Sequence, residues 1–272
     1  MGQVKVGITV VGCGGGFYHM LPAFTNTLNC MARMGYEPHI LLVDPDTIED
    51  RNKYRQWGGA AGQAKVDIAA ATLADLWGRR EIMVAADMVK EKHLCQEGME
   101  EGVVLVLVDN HLARAQVHRS LWEMSLPYVV IEITGGNTKR DGWADGCVFE
   151  EGRTIRNDWG PRHITVFMDA REEMKPKPPE QAKPPTCAVQ DEAFVGQTVE
   201  SNMMTARLLM GVLGGMWFRL QYPQCFRWEH GEGGIITMKE KWLPEESRPS
   251  KTGVDREALV EEYLSGIPRL DQ

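Results

Sequence analysis

The chain has 272 residues, 43% of them hydrophobic, which is enough apolar material for one sizeable core or one core with an appendage. Its formal net charge of -8 excludes nucleic acid as the main partner, because a phosphate backbone draws basic surfaces, but it leaves room for a local basic pocket. No apolar run reaches the length of a membrane span, and the first residues lead into a strand rather than a signal peptide, so a cytosolic protein is expected.

Val4 to Val11 is a β-branched, apolar run and reads as a buried parallel strand. Gly12-Cys13-Gly14-Gly15-Gly16 follows at once, where glycine lets the backbone turn tightly and approach a phosphate closely. Pro22 fits the first turn of a helix and not its interior, which predicts a regular helix from about Leu21 to Met34, stopped by Gly35. Ile40 to Val43 reads as a second strand ending at Asp44. Strand, glycine loop, helix, strand and acid is the layout of a nucleotide-binding fold.

The connection that follows, Val43 to Lys65, gathers acids, amides, two arginines and two lysines. A structural loop has no need of that inventory. A site for a ribose and a row of phosphates does, because acids accept from sugar hydroxyls and cations face phosphate oxygens.

Further along, Gln63 to Trp77 has helical spacing, Glu81 to Ala86 reads as a short strand, and Val103 to Val108 is the clearest buried strand in the chain. That strand ends at Asp109-Asn110, before a helix running to about Met124 and a strand from Tyr128 to Ile133. The alternation predicts a doubly wound, mostly parallel Rossmann-like sheet with helices on both faces. Ligands bind such sheets beyond the carboxyl ends of the strands, where Gly12, Asp44 and Asp109 are all placed.

Beyond Gly135 the pattern changes. Asp141 to Phe167 reads as antiparallel strands, and residues 172–197 form a proline- and charge-rich crossover segment carrying Cys187. Thr198 to Leu213 is a strong helix, and Phe226 to Trp242 is a hairpin about Gly231 to Gly234. Residues 1–243 are thus one domain, and 244–272 a polar tail with one short helix, Asp255 to Leu264. The six cysteines form no Cys-x-x-Cys pair, so neither a zinc knuckle nor a disulfide framework is expected.

The residues from about Val4 to Val212 resemble the ThiF/MoeB/ubiquitin-activating superfamily, in its stand-alone prokaryotic or phage form. The resemblance is carried by Gly12-Cys13-Gly14-Gly15, Asp44-Pro45-Asp46, Asn52-Lys53-Tyr54-Arg55-Gln56, Lys65, and Asp109-Asn110 with Arg114. It implies ATP-dependent adenylation of the C-terminal glycine of a ubiquitin-like or sulfur-carrier protein. By the same resemblance Gly12, Gly14 and Gly15 cradle the nucleotide, and Asp44 holds the ribose. Asp46, Asn52, Arg55, Gln56, Lys65 and Asn110 belong to the same nucleotide site, with Asn52, Arg55 and Lys65 toward the phosphates. Asp109 is the implied magnesium ligand. Cys187 stands where several members carry a cysteine that takes the acyl group as a thioester. A homodimer is implied too, and a conjugating enzyme is a possible further partner. Three departures stand out: Phe17 replaces the usual last glycine of the loop, the span from Gly12 to Asp44 is long, and the paired zinc cysteines are missing.

The residues by themselves leave other readings open. Asp44 at a strand end also suits the ribose of NAD or FAD in an oxidoreductase, although such a fold does not need Arg55 and Lys65 there. A non-catalytic scaffold that binds the carrier fits the altered glycine loop. Cys187 can be a small buried hydrophobe, Arg114 an ion-pair partner on a helix face, Asp46 a turn-shaping residue, and His111 and His118 structural.

Overall fold

The computed structural model describes residues 3–50, 58–79, 81–137, 141–149, 174–175, 199–219, 222–230, 236–243 and 265–270. These include eight strands: β1 (Val4–Val11), β2 (Tyr36–Val43), β3 (Ile82–Ala85), β4 (Glu101–Val106), β5 (Val129–Asn137), β6 (Asp141–Phe149), β7 (Tyr222–His230) and β8 (Ile236–Leu243). The helices are α1 (Gly15–Arg33), α2 (Lys65–Trp77), α3 (Glu91–Leu94), α4 (His111–Glu123) and α5 (Val199–Arg219).

All strands join one sheet in the order β3-β2-β1-β4-β5-β6-β7-β8. From β3 to β5 every pair is parallel; from β5 to β8 every pair is antiparallel. Alternate residues of the parallel strands feed two cores. Val6, Ile8, Val10, Val103 and Leu105 meet α1, α2 and α5 on one face. Val11, Val104 and Val106 meet Leu94 of α3 and Val117 and Leu121 of α4 on the other. Helices on both faces make the sheet doubly wound, as expected. The hairpin pairing of β7 with β8 and the antiparallel β6 also follow the sequence reading. No described helix is long and apolar enough to cross a membrane.

Several boundaries differ from expectation for physical reasons. α1 starts at Gly15, six residues before Leu21, and carries Pro22 in its interior. The lost amide bond and the ring clash at Pro22 are offset by burial, since Phe17, Tyr18, Met20, Leu21 and Phe24 all point into the core. β2 starts four residues early, at Tyr36, and runs through Pro38. Its pairing with β3 begins only at Ile40, so Pro38 lies where β2 has a single partner and a missing donor is tolerated. β4 is displaced to Glu101–Val106, and the Leu107 amide just beyond it still donates to the Val11 carbonyl (2.7 Å). α5 continues to Arg219, six residues past Leu213. The crossover segment, apart from 174–175, and the expected helix Asp255 to Leu264 lie outside the described residues.

Candidate functional site

The chain reverses its winding between β1 and β4: α1 carries it from β1 to β2 on one side, and β4 lies on the other. The carboxyl ends of β1, β2 and β4 converge at that crevice, where open α/β sheets bind ligands. Gly12 turns the chain out of β1 with φ +94°, a conformation L side chains rarely adopt. A Cβ there would stand 2.8 Å from the Leu107 backbone, so glycine is also demanded by the close approach of the residues after β4. The Gly12 amide donates to the Val43 carbonyl (2.9 Å), tying the loop to the end of β2.

Gly14 is the N-cap of α1 and offers no side-chain cap, and the first turn holds no acid. The first helical bond runs from the Tyr18 amide to the Gly14 carbonyl (3.1 Å). The preceding amides of the turn are therefore the usual orphan donors of a helix start, directed where an anion is favoured. A side chain at Gly16 would meet nothing within 4 Å among the described residues.

Asp44 is buried, and both of its oxygens are held. Oδ2 accepts from the Cys13 amide (2.6 Å) and Oδ1 from the Asp46 amide (2.8 Å). Burial raises its pKa above the ordinary carboxylate range, while the Lys65 charge and these two amides act the other way. The carboxylate keeps lone pairs beyond the two in use.

Lys65 is the first residue of α2, and its Nζ lies 2.7 Å from Asp46 Oδ2. Its side chain is 13% exposed against 63% for Asp46, so the cation faces inward while its partner faces solvent. The two ends of the segment joining them pair with each other. Thr47 bridges to Ala64, Ile48 donates to the Gln63 carbonyl (2.8 Å), and the Lys65 amide donates to the Asp46 carbonyl (3.0 Å). Asp46 thus both shapes the turn and holds Lys65. Burial pushes the Cys13 thiol well up, with the Asp44 charge adding to it and Lys65 opposing, so Cys13 is an inert wall of the loop.

Asp109 is exposed at the entrance to α4, and Asn110 caps that helix, its Oδ1 accepting from the Ala113 amide (2.7 Å). Arg114 of α4 is buried. It donates to the carbonyls of Val108 and Gly135 (3.1 Å to the latter), and its guanidinium carbon stands 5.5 Å from the Trp143 ring centroid. It clamps the exit of β4 to β5. Asn52, Arg55, Gln56 and Cys187, with the neighbours Arg51 and Lys53, lie outside the described residues.

The sequence reading missed a second gathering of polar groups, away from the strand-end crevice. His118 of α4, Glu132 of β5 and Cys147 of β6 bring their donor atoms within 4.8 Å of one another, all buried. An acid inside the apolar run Val129 to Ile133 was the available signal, because an unpaired buried carboxylate is too costly to keep.

No known family profile and no curated protein matches the sequence. Solved structures do match in fold. MccB of E. coli, crystallised with AMPCPP and MccA, aligns over 87% of this chain and 64% of its own, with 16% identity and a TM-score of 0.53. The MccB complex with ATP gives the same TM-score at 15% identity, and PaaA gives 0.50 at 16% identity over 88% of this chain and 73% of its own. The chain spans a little under two thirds of the MccB chains it matches. At these identities the likeness establishes a Rossmann-like α/β fold held in common with MccB and PaaA.

Proposed function

We propose that the chain is an ATP-dependent activating enzyme that adenylates a peptide or protein carboxylate, in its specific form the C-terminal carboxylate of a ubiquitin-like or sulfur-carrier protein. The observation that carries this reading is the buried Asp44 carboxylate, bonded to the glycine loop on one side and to the turn of Asp46 and Lys65 on the other. A ribose on Asp44 leaves its phosphates between the start of α1 and Lys65, which is the cationic partner that nucleotide chemistry needs. MccB, similar in fold, has been crystallised with ATP, and as a microcin C7 biosynthetic enzyme with N-formylated MccA.

In this reading Gly12, Gly14 and Gly15 approach the nucleotide through backbone, Lys65, Asn52 and Arg55 meet the phosphates, and Gln56 belongs to the same nucleotide site. Asp109, exposed beside the same crevice, holds magnesium, whose chemistry is to neutralise charge on phosphoryl oxygens. An oxygen of the acceptor carboxylate attacks the α-phosphorus, the bond to the bridging oxygen breaks, and pyrophosphate leaves. Attack by the Cys187 thiolate on the resulting acyl group would then form a thioester and release AMP. A cytosolic homodimer belongs to the same proposal.

The test is a thermal-shift comparison of ATP with magnesium against NAD and FAD. A ligand that binds only the folded state raises its stability by mass action. A shift with ATP and magnesium alone is the expected result. A shift with NAD or FAD alone overturns it in favour of a dinucleotide oxidoreductase, and no shift with any of the three favours the carrier-binding scaffold.

A further inference from the structure

The residues that follow β3 lie beside the crevice. Val43 of β2 pairs with Ala85 of β3, and the Asp44 amide donates to the Ala85 carbonyl (3.2 Å). The chain therefore leaves β3 next to Asp44, on the side away from β1. Ala86, Asp87 and Met88 are exposed there, and Val89 is buried again. Asp87 is held in place although it is exposed. Its Oδ2 accepts from Lys90 Nζ (2.5 Å) and its Oδ1 from the Met88 amide (2.8 Å). The Lys90 ammonium and that amide keep the Asp87 carboxyl below its ordinary pKa, so it is ionised at neutral pH. Met88 is 59% exposed, more than any other large hydrophobic side chain among the described residues.

The sheet order gives the base of a bound nucleotide its direction. Phosphate, ribose and base follow one another in a line. With the phosphates toward the start of α1, beyond β1, and the ribose on Asp44, at the end of β2, the base extends toward the end of β3. Neighbouring strands are about 4.8 Å apart, and the step from a ribose to its purine is of the same order. We propose, on the nucleotide reading of the crevice, that Asp87 selects adenine: its carboxylate accepts from the exocyclic amino group while the Met88 side chain lies against the face of the ring.

The chemistry leaves the carboxylate one way to bond the base. An ionised carboxylate only accepts, and each Asp87 oxygen keeps a lone pair beyond the bond it makes. The ring nitrogens of adenine accept too, and its amino group is the N–H donor of the base. A base with a carbonyl at that position sets one acceptor against another. Met88 supplies the complementary apolar contact, because a thioether packs favourably on an aromatic ring and an exposed methionine loses its water when the ring arrives. Ala86 carries nothing beyond Cβ and leaves the approach open.

The experiment is a calorimetric titration of the full chain, with magnesium, by ATP and by the triphosphate of unsubstituted purine riboside, which keeps the ribose and phosphates and lacks the amino group. The wild type is expected to bind ATP about tenfold more tightly, the lower end of what a hydrogen bond to a charged group contributes. Asp87→Ala should bring the two affinities together by weakening ATP alone, with the analogue bound as in the wild type. Equal affinities in the wild type, or a preference that survives Asp87→Ala, overturn the role of Asp87 and leave the ATP reading standing. Tighter binding of GTP than of ATP overturns it as well, because guanine offers a carboxylate N–H donors of its own. Binding of neither ATP nor the analogue removes the nucleotide reading and this inference with it. The wild-type comparison needs no substitution, and the bonds of Asp87 are local and exposed, so the variant is expected to fold.

Discussion

The parallel half of the sheet and its antiparallel extension are specified by different physics. From β3 to β4 the strand interiors are almost wholly apolar, and polar residues gather at the strand ends, where Asp44 is held by Cys13 and Asp46. At the junction of β5 with β6 the buried interior also holds polar side chains: Arg114 and His118 come from α4, Glu132, Thr134 and Asn137 from β5, and Asp145 from β6. On the other face of the junction Asn137 bonds to Ser201 (2.9 Å) and Asn202 (3.2 Å) of α5. Apolar packing tolerates many arrangements of similar volume, whereas a buried polar network must be satisfied partner by partner. The place where strand direction reverses is therefore the place where polar groups fix the register, and the parallel half is free to present a site at its edge.

This contrast predicts opposite responses to substitution. Phe24 of α1 is fully buried and meets the Phe17 ring edge-on, with centroids 6.0 Å apart. Phe24→Ala should cost about 3 to 5 kcal/mol in denaturant unfolding, while Phe24→Leu, which keeps most of the volume, should cost less than about 1.5 kcal/mol. In the polar junction the conservative change should fail. Arg114→Leu loses two charge-assisted bonds to carbonyls and should cost about 2 kcal/mol or more. Arg114→Lys should recover little of it, because an ammonium on a shorter, rounder head cannot both sit where Nη2 meets the two carbonyls and lay a flat guanidinium face toward the Trp143 ring. A lysine variant as stable as the wild type would show that charge alone, without geometry, holds the junction.

The same contrast explains what was legible in the sequence. Apolar runs such as Val4 to Val11 mark themselves by composition, and each leads to a strand end where the next residue must be special, so Gly12 and Asp44 could be placed in advance. Boundaries failed where tertiary burial outweighed a local rule, as at Pro22, whose neighbours Leu21 and Phe24 gain more from the core than the helix loses. The junction failed for another reason. Arg114 reads only as an ion-pair partner on a helix face, because nothing along the chain states that the carbonyls of Val108 and Gly135 will come to meet it. Glu132 and Cys147 become neighbours only through antiparallel register, which depends on pairings distant in sequence.

At the strand-end site the comparison can be sharpened by pH. The Asp44 pKa is raised in the folded protein, chiefly by burial. Between the ordinary carboxylate value and that raised value the folded state binds more protons than the unfolded one, so stability falls as pH rises through the window and is level above it. Asp44→Asn lacks this dependence. The stability of the wild type relative to Asp44→Asn, from denaturant unfolding at a series of pH values, should therefore decline as pH rises above the carboxylate range. A difference that grows with pH would mean that the amides of Cys13 and Asp46, together with Lys65, outweigh burial.

The smallest effect on stability should come from Asp46, and it separates the two roles its position suggests. Its amide and carbonyl hold the turn through Asp44 and Lys65, and both are backbone groups that Asp46→Asn retains. Only the largely exposed ion pair with Lys65 weakens, worth less than about 1 kcal/mol. If Lys65 serves phosphates, the carboxylate of Asp46 competes with them for the ammonium. Asp46→Asn should then leave unfolding almost unchanged while increasing the thermal shift produced by ATP and magnesium, most clearly at low ionic strength, where exposed charges are least screened. Lys65→Ala should remove most of that shift. An Asp46→Asn protein of unchanged stability that binds ATP more weakly would show that Asp46 holds Lys65 in its binding position, and the competition argument would fail.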